Sequence, residues 1–199
     1  MPTGENPHSL LTGMTFPVVV KARRLSASCG VIRADDAASL VKSVARVRAI
    51  QGRSDRDAAA LGIVVEDFIP GREYALEGIL THGELTVLAL FDKPDPLDGP
   101  CFEETLYITP SRLPPTVQAR IHEEVARVCR AAGMVTGPIH AEMRVNAQGV
   151  WLLEVASRSI GGLCGRILEH SLGMSLETLI LRHLVGDPLP VAAAGPTLH

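Results

Sequence analysis

Two stretches of this sequence have to fold back on themselves within a few residues. Glu73 to Thr81 and Glu84 to Phe91 are strand-forming apolar runs separated only by His82-Gly83, where the glycine takes a positive φ. Ile139 to Val145 and Val150 to Val155 flank Asn146-Ala147-Gln148-Gly149 in the same way. Connections this short permit only antiparallel pairing, because a parallel crossover needs about a dozen residues or more. With helical periods interspersed, the class is α+β and not a strict βαβ alternation.

Pattern begins abruptly at Phe16. Pro17-Val18-Val19-Val20-Lys21 is a short β-branched run suited to a buried strand, a loop follows to Gly30, and Val31-Ile32-Arg33 can be a second strand. Asp35 or Asp36 can cap a helix carrying Leu40, Val41, Val44 and Val47 on one side. Gln51 to Ala60 is polar and small and is read as exposed; Ile63 to Ile69 is a strand that turns at Pro70-Gly71, and Pro94 to Pro100 is a loop. A helix opens at Pro114-Pro115, presents Ile121, Val125, Val128 and Ala132, and ends at Gly133. A last helix runs from Ser175 with Leu176, Leu179, Ile180 and Leu184 inward, and stops at Gly186.

Bulk properties remove several function classes. The net charge is −3, and the longest basic cluster, Lys21-Ala22-Arg23-Arg24, is too short for a nucleic-acid face. No apolar run approaches the roughly 20 residues that span a bilayer, and no secretory leader is visible. Cys29, Cys101, Cys129 and Cys164 lack metal-site spacing and read as reduced thiols, so a cytoplasmic setting is expected.

Glu142 and Glu154 carry the strongest chemical signal. Taking Ala147, Gln148 and Gly149 as a three-residue loop pairs Asn146 with Val150 and, four steps back, Glu142 with Glu154. Opposed residues share a face with Cβ atoms about 5 Å apart, and two carboxylates held so close repel unless a cation or proton intervenes. Hard oxygens of this kind suit Mg²⁺ or Mn²⁺. Taken alone, the pair is equally two surface glutamates, or Glu142 paired with Arg144 or Arg158; a two-residue loop would set the acids on opposite faces.

Other residues are weaker alone. Lys21 ends a buried run and can touch a phosphate or simply reach solvent; Ser26, Ser28 and Gly30 behind it offer hydroxyls and amides to an anion. Glu66, Phe68 and Glu73 surround a turn that can present backbone groups to an adenine edge and a carboxylate to ribose, or can be plain surface. Arg158, followed by Gly161-Gly162, suits bidentate phosphate contact. Lys93 can neutralise phosphate charge or be exposed. His140 lies two residues before Glu142 and shares its face.

In order along the chain, Phe16-Pro-Val-Val-Val-Lys21, Gly30-Val31, Val65-Glu-Asp-Phe-Ile-Pro-Gly-Arg-Glu73, His140-Ala-Glu142 and Leu153-Glu-Val-Ala-Ser-Arg158 resemble the ATP-grasp superfamily, over about residues 16 to 187. The resemblance implies two α+β lobes with mainly antiparallel sheets holding ATP between them: a small lobe over 16–65 and a large one over 66–190, with a flexible arm at 1–15 and a tail at 191–199. It implies Lys21 on the α- and β-phosphates under a phosphate loop containing Ser26, Ser28 and Gly30, and Glu66 and Phe68 at adenine. It gives Glu73 to ribose, Lys93 to the γ-phosphate, Glu142 and Glu154 to Mg²⁺ (or Mn²⁺), and Arg158 to the acyl-phosphate stage. The implied reaction joins a small carboxylate, most simply an amino acid, to an amine, with no nucleic acid or membrane involved.

Three departures qualify this. Leu25 and Ala27 stand where phosphate-loop glycines are usual; Ala156-Ser157-Arg158 replaces Asn-x-Arg, as the amino-acid ligase branch tolerates; and a short arm stands where the family has an α/β region before the strand lysine. The last leaves open a non-catalytic nucleotide-binding fragment, served by a homodimer or a separate N-terminal partner chain. The first leaves open a domain that binds no nucleotide.

Overall fold

The computed structural model describes residues 13–54 and 62–189. Most of the expected arm, the tail at 191–199 and the second half of the Gln51 to Ala60 stretch lie outside these. The chain divides into two units, one of residues 1–70 with 95–105, the other of residues 71–94 with 106–199.

In the first unit, β1 (Val18–Ala22) lies between β2 (Val31–Ala34) and β3 (Ile63–Asp67), antiparallel to both. Strand alternation sends Val18 and Val20 to one face, where α1 (Ala37–Ser54) packs Leu40, Val44 and Val47 against them and Ile63. Val19 points the other way, into a small cluster with Leu97 and Phe102. Asp36 caps α1, its Oδ1 accepting the Ser39 N–H at 2.7 Å. The helix runs further than its polar C-terminal composition suggests. Gln51 is 2 % exposed and its amide donates to the Gly62 carbonyl at 3.2 Å, so a side chain read as solvated anchors the return to β3.

The second unit is built on a four-stranded antiparallel sheet in the order β5-β4-β6-β7, comprising β4 (Arg72–Thr81), β5 (Glu84–Lys93), β6 (Gly137–Asn146) and β7 (Gly149–Ala156). His82 and Gly83, both at positive φ, close the first hairpin in two residues. Gly71 is obligatory: it sits at φ +127°, and a Cβ there would lie 2.5 Å from the Val145 carbonyl oxygen.

One sheet face buries Tyr74, Leu76, Leu80, Ile139, Ala141 and Met143 under α2 (Pro115–Ala131), which contributes Ile121, Val125, Ala126 and Cys129. Cys129, rather than Val128 or Ala132, completes that helix face. The other sheet face buries Ala75, Ile79, Ala89 and Phe91 under α3 (Cys164–Leu172) and α4 (Leu176–Leu184). The sequence reading had no α3. Leu168 and Leu172 dock it, and Gly173 at φ +71° ends it. Ser175 caps α4 by accepting the Thr178 N–H at 3.1 Å.

The second hairpin corrects the expected turn. Its loop is Ala147-Gln148, with Asn146 opposite Gly149, and Asn146 Oδ1 accepts from the N–H groups of Gln148 and Gly149. The Asn side chain thereby replaces the third loop residue. A two-residue loop alone would oppose Glu142 to Leu153. A β-bulge between Glu142 and Met143 in the pairing leaves Leu153 as the extra residue and restores Glu142 opposite Glu154. The packing follows the shift: Val150, Leu152 and Val155 meet the α2 core, while Trp151 and Glu154 are exposed.

Candidate active site

The face of the second unit's sheet that carries α3 and α4 ends in a row of charges. On β6, His140, Glu142 and Arg144 alternate onto this face; on β4, Glu73 and Glu77 do the same, opposite Arg144 and His140. Lys93 on β5 stands opposite Glu73, and Glu154 on β7 opposite Glu142. Register alone therefore gathers seven ionisable side chains from four strands.

Their contacts alternate in sign. Arg144 Nε donates to Glu73 Oε2 at 3.2 Å, and Lys93 Nζ donates to Glu73 Oε1 at 2.9 Å and to Glu142 Oε1 at 2.7 Å. His140 Nε2 lies 3.6 Å from Glu142 Oε1, and its Nδ1 lies 3.3 Å from Glu77 Oε2. Lys93, Arg144, Glu73, His140 and Glu77 are all buried. Buried charge persists only when paired, and this chain of contacts supplies the pairing. Tyr107 adds a ring face 5.1 Å from Lys93 Nζ.

The electrostatics follow from the contacts. Burial alone would push His140 down, but Glu142 and Glu77 on either side outweigh it and raise the imidazole to about 9. Burial would raise Glu142, but His140 and Lys93 hold it down at about 2. Burial dominates at Glu77, which is raised above the ordinary glutamate range.

Glu154 and Arg158 form the exposed edge of this row, with Arg158 Nη2 4.0 Å from Glu154 Oε1 and Nη1 donating to the Ser159 carbonyl at 3.0 Å. The donor set fits a hard divalent cation. Glu142 and Glu154 are opposed carboxylates, Glu142 carries no proton near neutrality, and no thiolate takes part. Lys93 already neutralises Glu142, so a cation here would share that carboxylate with an ammonium.

The remaining sequence candidates lie in the first unit. Lys21 and Glu66 form an ion pair on the sheet face away from α1. Behind Lys21, residues 26–31 form two overlapping tight turns in which Ala27 and Ser28 both have φ 54° and Gly30 has φ 74°. The Cys29 N–H donates to the Ser26 carbonyl and the Val31 N–H to the Ser28 carbonyl. Phe68 stacks with Phe102 at 6.5 Å, with the Arg33 guanidinium 4.2 Å from the Phe68 ring centre. Sequence reasoning overlooked Glu77; its signal was position, four residues after Glu73 on the same strand and therefore on the same face.

Residues 14–167 match the family model for the ATP-grasp domain, and the chain belongs to that family. Among curated proteins it is 27% identical over 152 residues to carnosine synthase 1 of Homo sapiens, covering 74% of this chain and 18% of that protein. It is 26% identical over 164 residues to dapdiamide A synthase of Enterobacter agglomerans, covering 80% and 37% respectively. The solved structure of an L-amino acid ligase from Bacillus licheniformis superposes with a TM-score of 0.73 at 31% identity, over 90% of this chain and 41% of that one. The chain thus spans less than half the length of each of these relatives. No helix among the described residues is long and apolar enough to cross a membrane.

Proposed function

We propose that this chain is the ATP- and Mg²⁺-binding module of a carboxylate–amine ligase that works through an acyl phosphate, with an amino acid as one substrate. The observation that carries the reading is the opposition of Glu142 and Glu154 across β6 and β7, with the buried Lys93 ammonium on Glu142. The likeness to an L-amino acid ligase supports an amino acid as the substrate class.

Glu142 and Glu154 are the residues that would hold Mg²⁺, which, when bound, neutralises phosphate charge. Lys93 donates to γ-phosphate oxygens, and Glu73, with both oxygens engaged by Lys93 and Arg144, fixes that lysine; we assign it this role ahead of ribose binding. Arg158, on an exposed loop beside Glu154, takes the charge that develops as the substrate carboxylate attacks the γ-phosphorus and ADP leaves. An amine then attacks the acyl carbon and phosphate departs. In the first unit, Lys21 and the Ser26, Ser28 and Gly30 turn are assigned to the α- and β-phosphates, and Glu66 and Phe68 to adenine.

Calorimetric titration with ATP and Mg²⁺ tests the reading. Saturable binding is expected for the wild type and is lost in Glu154→Gln and Lys21→Ala; equal binding in both variants would refute it.

A second reading, a nucleotide-binding portion without catalysis of its own, is favoured by the fraction of each relative's length that is matched. ADP release with a mixture of amino acids separates the two: turnover by this chain excludes the second reading. A homodimer or a separate partner chain belongs with that second case.

A further inference from the structure

Glu77 is the least expected member of the charged row. It is 0 % exposed on a face otherwise packed with Ala75, Ile79 and Ala89, and among the described residues its Oε1 has no hydrogen-bond partner. A buried ionised pair gains the fold little, since apolar residues in place of both partners commonly serve as well or better. The other oxygen of Glu77 does two things at once. Oε2 accepts the Ile160 N–H at 2.9 Å and lies 3.3 Å from His140 Nδ1, whose Nε2 faces Glu142 Oε1 at 3.6 Å.

Ile160 lies on the loop that follows β7, two residues after Arg158. One buried oxygen therefore hydrogen-bonds the loop carrying the arginine and stands at ion-pair distance, without a hydrogen bond, from an imidazole that is itself at ion-pair distance from a proposed metal acid.

We propose that Glu77 is a positioning residue that fixes Glu142 and the Arg158 loop in a common frame. The inference rests on the metal-site reading of Glu142 and Glu154 and extends it to a residue that touches neither nucleotide nor metal. Groups that contact a metal ligand directly typically change metal affinity 10–100-fold when removed, and Glu77 stands one group further out, behind His140, which places its expected effect at the lower end of that range. A purely structural acid at this place would change stability and leave affinity alone.

The test compares wild type, Glu77→Gln and Glu77→Leu in three measurements: Mn²⁺ affinity by electron paramagnetic resonance with ADP present, amide hydrogen exchange of the 157–163 segment, and melting temperature. Glutamine keeps an oxygen for Ile160 but no charge for His140, so about tenfold weaker Mn²⁺ binding is expected with the segment still protected. Leucine removes both functions: in protein still folded at the assay temperature, Mn²⁺ binding weakens by at least that factor and exchange at Ile160 accelerates, while the melting temperature falls because His140 loses its carboxylate. Should the leucine variant fail to fold, the glutamine variant decides.

Wild-type Mn²⁺ affinity in both variants would overturn the proposal and leave the metal site standing. Losses seen only where the variant is already unfolding would also overturn it. A wild type that binds no Mn²⁺ would remove the metal site and the proposal together.

Discussion

Replacing Lys93 with methionine keeps the aliphatic stem beside Tyr107 but takes the ammonium from between Glu73 and Glu142. Lys93 is 4 % exposed and 2.9 and 2.7 Å from the two carboxylates, so water cannot readily take its place. Breaking a buried ion pair by removing one partner costs about 3–5 kcal/mol. Glu73 keeps Arg144 at 3.2 Å and Glu142 keeps His140 at 3.6 Å, which places the loss at the lower end, about 3 kcal/mol. For a chain of 199 residues each kcal/mol moves the melting temperature by about 2–4 °C, giving a fall of roughly 6–12 °C. The single tryptophan, Trp151, lies on β7 of the same sheet, so intrinsic fluorescence during heating reads the relevant unit without a label. The experiment is run at neutral pH with chelator, so that no divalent ion substitutes for the ammonium. A shift under about 3 °C would correspond to a surface-grade ion pair and refute the account of a buried, charge-balanced row.

Four further outcomes are expected. His140→Asn in metal-free protein should lower the urea midpoint most below pH 6.5: an imidazole whose folded pKa is raised contributes fully below its ordinary value, and the gap to wild type closes as pH rises toward about 9. The acid-side counterpart is Glu142, whose contribution is present above 4.5 and fades as pH falls toward 2; an alkaline gap that widens instead would contradict the assigned sign. Gly71→Ala should shift the urea midpoint down by the equivalent of about 1–3 kcal/mol, because its Cβ meets the Val145 carbonyl at a positive φ. Ser175→Ala, which removes the α4 cap, should cost about 1 kcal/mol by the same measurement.

Much of the fold was legible where one periodicity ruled. The alternation at Val18 to Val20, the i, i+4 pair Ile121 and Val125, and the Ser175 start of α4 each depend on residues a few positions apart. Where two local choices competed, sequence could not arbitrate. Asn146 can pair in a strand or bond its own turn, and only the sheet context selects the two-residue loop.

α3 went unread because its inward leucines, Leu168 and Leu172, follow a loop of small residues and lie only about one turn apart. Gln51 looked exposed because its burial depends on Gly62, across residues outside the described structure. In the site, acids and lysine could be named from their order along the chain, but not their mutual neutralisation. That arises from pairing among β4, β5 and β6 across as many as 71 positions.

Leu153 gives the β6–β7 hairpin a phase correction. The turn runs one residue short, the strand runs one residue long, and the two errors cancel at the acids while remaining visible in between. The bulge is therefore where a length change can be absorbed: without Leu153 the residue after Leu152 is Glu154, and an unbroken ladder would still set it opposite Glu142. Deleting Leu153 should accordingly leave Mn²⁺ binding near the wild-type level, and binding abolished by that deletion would contradict the pairing of the two acids.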